Sequence, residues 1–582
     1  MEPILIEISW EVANKVGGIY TVLKEKARYI QEKFKNNYYL IGPFLPNKSF
    51  SDFSALPIPY EFEPIIDEVK KFGIDVYYGE WLIESRPKCF LIDYTRFLEN
   101  INNLKYELWA KYRIDSLRTG DDYNHPIAWC KAVSIFLKCF LDKVPNKIIL
   151  HLHEWLSGSV ILFENLQTPS IFTTHATVLG RSMAESGLEF WEHLSIMNPD
   201  EEAYKFAVEA KHMVEKMSAR KATFFTVISR VLAIEAEHIL GRKPDFILPN
   251  GIDISKFPTI EEISYAHRVN REAIREFILY FFSPYYKVEL KNSLFYFISG
   301  RKEIKNKGID IFIRSLGELN KKLTDSDPNI FAFIFVPSEV IDVDHSIFHN
   351  LTVYRNLEEK IEDLVPEIKS RLVHFLIHKE KISSETLFSK EEFLEIQKII
   401  KQLKTDSKFP ISTHILNPQD EILQLLLSVG LDNRPENKVK VIYYPIYLHR
   451  GDGFLNLDYN EAIIGCHVGV FPSFYEPWGY TPLESAISGV ITITTDLTGF
   501  SDYLQTITYF DKEYPGIYII GRKNKRGAEV VEELSEVLLK IARFSKAERV
   551  QNKLEARRLA SLCSWDNLIS NYFDLYSAAL QR

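Results

Sequence analysis

The sequence predicts an α/β protein, with two doubly wound parallel sheets, one deep crevice between them and a helical insertion in the second half. Three observations carry this. Residues 4–10, ILIEISW, read as a buried strand, followed by Gly17 and Gly18, a stretch of helical periodicity and the strand-like YYLIGPF. Strand, glycine turn, helix and strand in that order make a parallel α/β unit. A second series of the same kind starts near Leu294, and between residues 338 and 408 long, charged, amphipathic segments replace the alternation.

In the first series YTVLKEKARYIQEKF has the apolar spacing of a helix, and HPIAWCKAVSIFLKCFL from His125 reads as an apolar helix. KIILHLHEW, SIFTTH and ATFFTVIS are strands, VLAIEAEHIL is a helix, and FILPNG closes a short strand in the turn signal Asn250-Gly251. In the second series LFYFISG, NIFAFIFVP, KVIYYP, VGVFPS and VITITT are strands, and GIDIFIRSLGELNKKL is a helix. The boundary falls in the charged helical stretch of residues 263–291, giving a first domain of residues 1–275 and a second of residues 276–560. The final helix, residues 561–582, is expected to cross back to the first domain. The insertion, residues 338–408, has helices whose apolar stripe packs either on its own domain or against another subunit.

Composition excludes several classes. The chain has 582 residues, 46% of them hydrophobic, and a net charge of -9, with no dense basic face that would ask for nucleic acid. Its five cysteines, Cys89, Cys130, Cys139, Cys466 and Cys563, form no C-x-x-C pair, which favours a reducing, cytoplasmic setting. MEPILIEISW lacks a basic leader region and reads as a first core strand, and no apolar run is long enough to span a membrane.

Ligands of doubly wound sheets lie outside the carboxyl ends of the strands, and the chemically suggestive segments fall there. YEPWGYTPLE, Tyr475 to Glu484, joins the strand VGVFPS to an apolar helix. Thr481 is expected to cap that helix with Pro482 at its first position, leaving backbone N–H groups for phosphate. Gly479 allows close approach, Glu476 lies where a carboxylate would meet sugar hydroxyls, and Glu484 where one would hold a ribose. In NKVGGIYTV, Gly17 and Gly18 suit approach to a pyrophosphate and Lys15 could neutralise it, although a plain βα turn has the same pattern. GRKEIKNKG brings Arg301 and Lys307 to a strand end, where two cations would take the charge of a departing diphosphate. THATVLGR does the same for His175 and Arg181 in the first half. His151 and His153 share a strand face and could reach one metal, but no third ligand is evident. Asp342-Val-Asp344 lies in the insertion and reads as a loop.

With these segments collected, the chain resembles the eukaryotic-type (animal and fungal) glycogen synthases. SWEVANKVGGIYTVL, HLHEWLSG, FTTHATVLGR, GRKPDFILPNGID, ISGRKEIKNKG, GCHVGVFPSFYEPWGYTPLES and CSWDNL occur in the family's order, over about residues 4 to 580. The resemblance implies two Rossmann-like domains of the GT-B fold that close on the substrate. It implies metal-independent, retaining transfer of glucose from UDP-glucose to the non-reducing 4-OH of an α-1,4-glucan, with no cofactor. Arg181, Arg301 and Lys307 should stabilise the leaving diphosphate, and Glu476 is the expected essential carboxylate. Tyr480, Thr481 and the Gly479 backbone should hold phosphate, and His175 and Asn250 should line the glucose pocket. Tyr459 matches the ring stacked on uracil, and Gly18 should lie by the donor. The insertion matches the family's subunit-pairing helices, which implies a homotetramer.

One region departs from the family. Its arginine-rich helix, which binds glucose 6-phosphate, corresponds here to ERVQNKLEARRLASLCSW. Arg549, Lys553 and Arg558 remain, but Glu555 is among the replacements of family arginines, so weak or no activation by glucose 6-phosphate is expected. Taken without the resemblance, the same residues also leave open a retaining transferase with another acceptor, or a glucan-binding scaffold.

Overall fold

The computed structural model describes residues 2–46, 49–379, 381–405 and 408–582. The first sheet has nine strands, in the order Phe53–Ala55, Val76–Trp81, Lys88–Ile92, Tyr38–Pro43, Ile4–Ile8, Ile148–His153, Ser170–Thr174, Phe224–Val227 and Phe246–Ile247. From Lys88–Ile92 onward the pairings are parallel, while the two pairings at the other edge are antiparallel. Ile4–Ile8 and Ile148–His153 are buried at every residue, as strands covered by helices on both faces must be. The antiparallel edge strands have no counterpart in the sequence reading, because Val76–Trp81 mixes buried and exposed positions without a clean period.

The second sheet has six parallel strands, in the order Val439–Tyr444, Ile330–Phe335, Leu294–Ser299, Val468–Val470, Ile491–Thr495 and Ile517–Ile520. In both sheets the chain order reverses at the middle. The reversal lies beside Ile4–Ile8 in the first and between Leu294–Ser299 and Val468–Val470 in the second. Loops leaving such switch points diverge and open a crevice.

Helix Ile260–Phe282, opened by a Thr259–Glu262 capping box, leads into the second half and buries Phe277 and Phe281 among Phe295, Phe297 and Phe333. The last helix, Trp565–Leu580, returns to the first sheet, where Tyr572 and Tyr576 join the core around Leu5, Tyr38 and Ile149. Gly251 is required there, since a Cβ would enter the Trp565 ring. The core of the first half also continues into the second through Tyr475, Trp478 and Phe500.

The insertion contains helices His345–Ile377 and Lys390–Ile400, clasped by Arg371, which donates to both Glu392 oxygens at 2.6 and 2.9 Å. Asp342-Val-Asp344 is not the loop that the sequence suggested. Asp342 belongs to strand Val340–Val343, and Asp344 caps the long helix by accepting from Ser346 N and Ile347 N. All five cysteines are buried free thiols, and no described helix is long and apolar enough to cross a membrane.

Candidate active site

The two switch points face each other, and four predicted side chains meet between them. Lys307 forms an ion pair with Glu476, and both are largely buried. Arg301 Nη2 lies 2.9 Å from Glu303 Oε1. Arg181 comes from the first half, on helix Val178–Glu185. Burial works against its charge, but the nearby Glu303, Glu154 and Glu476 outweigh that cost and keep it protonated. Arg181 is open to water yet surrounded by protein, as befits the wall of a deep cleft.

The loop bearing Arg301 and Lys307 is shaped by Gly308, whose φ is +67° and whose missing Cβ makes room for the Pro472 carbonyl. Asn306 O in this loop accepts from Phe474 N at 2.8 Å, so the loops after Leu294–Ser299 and Val468–Val470 brace each other. The first half docks on the same turn. Asn306 N donates to Glu185 Oε2 at 2.8 Å, Trp191 Nε1 to Phe474 O at 3.2 Å and Tyr475 OH to Glu235 Oε1 at 2.7 Å.

Under THATVLGR lie three buried carboxyl groups that the sequence reading did not select. Glu154 Oε1 accepts from His175 N at 2.9 Å and Ala176 N at 3.0 Å, and Glu215 Oε2 accepts from Val178 N at 3.0 Å. Glu235 accepts from Thr177 Oγ1 as well as from Tyr475. Burial raises Glu215 well above the carboxylate range and raises Glu154 and Glu235 to about 7. Glu154 lies within HLHEW and Glu303 within GRKE, so their position beside the candidate cations and histidines is a signal the sequence carries. Glu235 carries no local signal.

The turn Tyr475 to Glu484 opens helix Tyr480–Ile487, but its cap differs from expectation. Gly479, at φ +108° and ψ +71°, is the N-cap, so Thr481 and Pro482 fall inside the first turn. Glycine takes the position because the left-handed conformation penalises any Cβ. The N–H groups of Tyr480 and Thr481 lie in the first turn, beyond reach of an intrahelical acceptor, and remain suited to phosphate. The Tyr480 hydroxyl donates to Gly251 O at 3.2 Å, tying this turn to the Asn250-Gly251 turn. Tyr459 lies beside it, its hydroxyl 2.9 Å from Ser299 Oγ, and burial with the nearby Glu25 pushes Glu484 to about 8.

At NKVGG the structure corrects the simplest phosphate reading. Glu11 Oε2 already accepts from Gly17 N and Tyr20 N, each at 2.8 Å, so a carboxylate holds the start of helix Gly18–Phe34. Lys15 is exposed, and around Gly18 a Cβ would meet nothing within 4 Å, which leaves the space a ligand needs. Asn250 is buried, with its Oδ1 unpartnered among the described residues. Such an atom costs free energy unless a ligand or water meets it.

The two histidines do gain a third group. Glu7, on the neighbouring strand, brings a carboxylate within 4.8 Å of His151 and His153. The Lys26 ammonium lies 3.0 Å from that carboxylate and would oppose a cation there. In helix Lys546–Ser561, Arg558 donates to both Glu555 oxygens at 2.8 and 2.6 Å, and Arg557 and Arg549 bond to backbone carbonyls. Lys553 is half-buried, and desolvation with the nearby Arg271 and Arg549 draws it well below the usual lysine range.

Comparison with known proteins gives a consistent result. The family model described as glycogen synthase matches residues 7–582. The glycogen [starch] synthase of Dictyostelium discoideum is 36% identical over 100% of this chain and 67% of its own length. The liver glycogen [starch] synthase of Homo sapiens is 32% identical over 100% of this chain and 84% of its own. Among solved structures, the catalytic domain of starch synthase IV from Arabidopsis thaliana, bound to ADP and acarbose, aligns with a TM-score of 0.54 at 13% identity. That alignment covers 100% of this chain and 99% of that one, a likeness of fold.

Proposed function

The chain belongs to the glycogen synthase family, and from that premise we propose that it elongates glycogen, moving glucose from UDP-glucose to the non-reducing 4-OH of an α-1,4-glucan. The observation that carries this reading is the meeting of Arg181, Arg301, Lys307 and Glu476 across the crevice of a GT-B fold. The donor lies on the half built from residues 276–560, its phosphates on Tyr480 N and Thr481 N and its uracil on Tyr459. The acceptor enters from the half built from residues 1–275. His175 and Asn250 line the glucose pocket, Gly18 lies by the donor with Lys15 toward its phosphates, and Glu484 holds the ribose.

The three cations stabilise the negative charge that develops on the diphosphate as the glycosidic bond breaks, a contribution usually large in such reactions. Glu476, held by Lys307, stands beside the donor glucose. Retention follows from attack on the face the diphosphate leaves, with a phosphate oxygen taking the acceptor proton. The setting is cytoplasmic, in keeping with five unpaired thiols. A homotetramer forms through the insertion, whose exposed Val365, Val373, Leu376 and Ile377 suit burial against another copy. Incubation with UDP-glucose, ADP-glucose and glycogen tests the reading. Polymer growth with UDP-glucose is expected, and growth absent with every donor would reject it. Light scattering on the purified protein tests the assembly.

A further inference from the structure

Behind His175 runs a continuous chain of buried hydrogen bonds in which one ionised carboxylate dictates where each proton sits. Burial alone would raise the pKa of Glu7, but Lys26 at 3.0 Å and His153 outweigh it and bring it down to about 2. An ionised carboxylate only accepts. Its Oε2 faces His153 Nε2 at 3.2 Å, so that nitrogen carries the ring proton. Burial keeps His153 neutral, which leaves its Nδ1 bare. His153 Nδ1 lies 3.1 Å from His175 Nε2, which must therefore be the donor. Burial disfavours the charged form of His175 as well, so its Nδ1 is a lone pair. That Nδ1 has no hydrogen-bond partner among the described residues.

The other oxygen of Glu7 orders a second branch. Tyr576 OH, on the last helix, donates to Glu7 Oε1 at 3.1 Å and so can only accept from His151 Nδ1, 3.0 Å away. His151 Nε2 is then bare and accepts from Thr173 Oγ1 at 2.7 Å, and Thr173 Oγ1 is 2.6 Å from Thr226 Oγ1. With Lys26 also lying over the Tyr572 ring at 4.4 Å, the ring nitrogens that a metal would need are occupied, and the one carboxylate charge is already neutralised by the Lys26 ammonium. The cluster is a proton network rather than an ion cage.

We infer that Glu7, Lys26 and His153 are positioning residues for the transfer reaction. They hold His175 in the Nε2–H tautomer, so that Nδ1 serves as a hydrogen-bond acceptor for a hydroxyl of the bound sugar. The inference rests on the reading of His175 as a sugar-contacting residue. The C-terminal helix takes part in the site through Tyr576, although its chain position is more than four hundred residues from Glu7. A ring held in the wrong tautomer turns an acceptor into a donor, and this costs an enzyme far more than a lost packing contact.

The experiment has a direct readout and a kinetic one. Imidazole ¹⁵N spectra of the full-length protein, labelled at histidine and assigned with a His175→Gln variant, should show His175 protonated at Nε2 and bare at Nδ1. Finding the proton on Nδ1 in the unmodified protein would overturn the inference without any variant. The double substitution Glu7→Gln with Lys26→Met removes the pair together, so no lone buried charge remains. It should mix the His175 tautomers and lower kcat for UDP-glucose by about ten- to a thousandfold, while the KM for the nucleotide sugar changes little. Unchanged kcat with mixed tautomers would also overturn it. His153→Phe should behave like the double variant, and His153→Asn, whose Oδ1 can accept from His175, should restore part of the rate. Full transfer by His175→Ala would instead reject the reading of His175 itself, and the spectra separate that result from a failed tautomer assignment.

Discussion

The Tyr475 hydroxyl donates to Glu235 Oε1 at 2.7 Å, joining the turn of the second half to the helix Arg230–Leu240 of the first. Both groups are buried, and the contact places a carboxyl with a pKa near 7 at the seam between the two halves. In a GT-B fold the substrate enters at this seam, so groups that bridge it bear on both stability and turnover.

Stability should fall as pH rises from about 5 to 8. Glu154 and Glu235, raised to about 7, and Glu484, raised to about 8, keep their protons in the folded state after the unfolded chain has lost them near 4.5. The native state binds more protons in that window, and stability therefore declines with pH. Glu235→Gln keeps an oxygen for Tyr475 and Thr177, so it should flatten this slope and add about 1–3 kcal/mol at pH 8. Denaturant melts at pH 5, 7 and 8 check it, and an unchanged slope would contradict the assignment.

Opposite behaviour is expected at the acid end. Glu7 is held near 2, so the stability from its pair with Lys26 is present above the unfolded value and is lost as pH falls toward 2. Acid titrations of the unmodified protein and of Glu7→Gln with Lys26→Met should differ by a constant amount above pH 4.5, the unfolded value, and approach each other as pH falls from there to about 2.

Glu476→Ala should abolish measurable turnover, and Lys307→Ala or Arg301→Ala should each lower kcat by about a hundred- to a thousandfold. Lys307 and Glu476 form a largely buried pair, so removing one also strands the other, and their losses of stability should not add. A double-mutant cycle on folding stability, from denaturant melts of Lys307→Ala, Glu476→Ala and the pair, measures the coupling. Additive losses would show that the pair does not act as a unit.

Gly308→Ala should cost about 1–3 kcal/mol and a larger share of the activity. The residue has φ +67°, and a Cβ would strike the Pro472 carbonyl, pushing the Lys307 loop off the turn that carries Glu476. Thermal melts and initial rates together test this, and a variant with native stability and rate would refute it.

Glucose 6-phosphate should raise the initial rate little or not at all. Arg558 is engaged by both oxygens of Glu555, and Arg557 and Arg549 are bound to backbone carbonyls, so few guanidinium groups in that helix remain for a phosphate. A severalfold activation at fixed UDP-glucose would show that Lys553 and its cationic neighbours suffice.

Much was legible along the chain. The buried strands, the glycine turns and the cations of GRKEIKNKG are local features, written within a few neighbouring residues. Thr481 was misplaced as the cap because Ser or Thr before Pro is the commoner helix start, whereas here Gly479 takes the cap through a left-handed backbone. The edge strand Phe53–Ala55 is too short to show a period, and its neighbour Val76–Trp81, paired on both sides, mixes buried and exposed positions, so neither has the apolar continuity that marks a central strand.

The sequence by itself determined the two α/β series and the family, and it pointed to Arg181, Arg301, Lys307 and Glu476 as the candidate site. The tertiary structure alone decided which acids stand behind them. Glu7 meets His153 only because Ile4–Ile8 pairs in register with Ile148–His153, setting Glu7 opposite His151. Glu235 meets Tyr475 only because the two halves dock. Such contacts join residues more than a hundred positions apart, and they depend on sheet order and docking rather than on local propensity. The pattern of neighbouring residues therefore carries no trace of them.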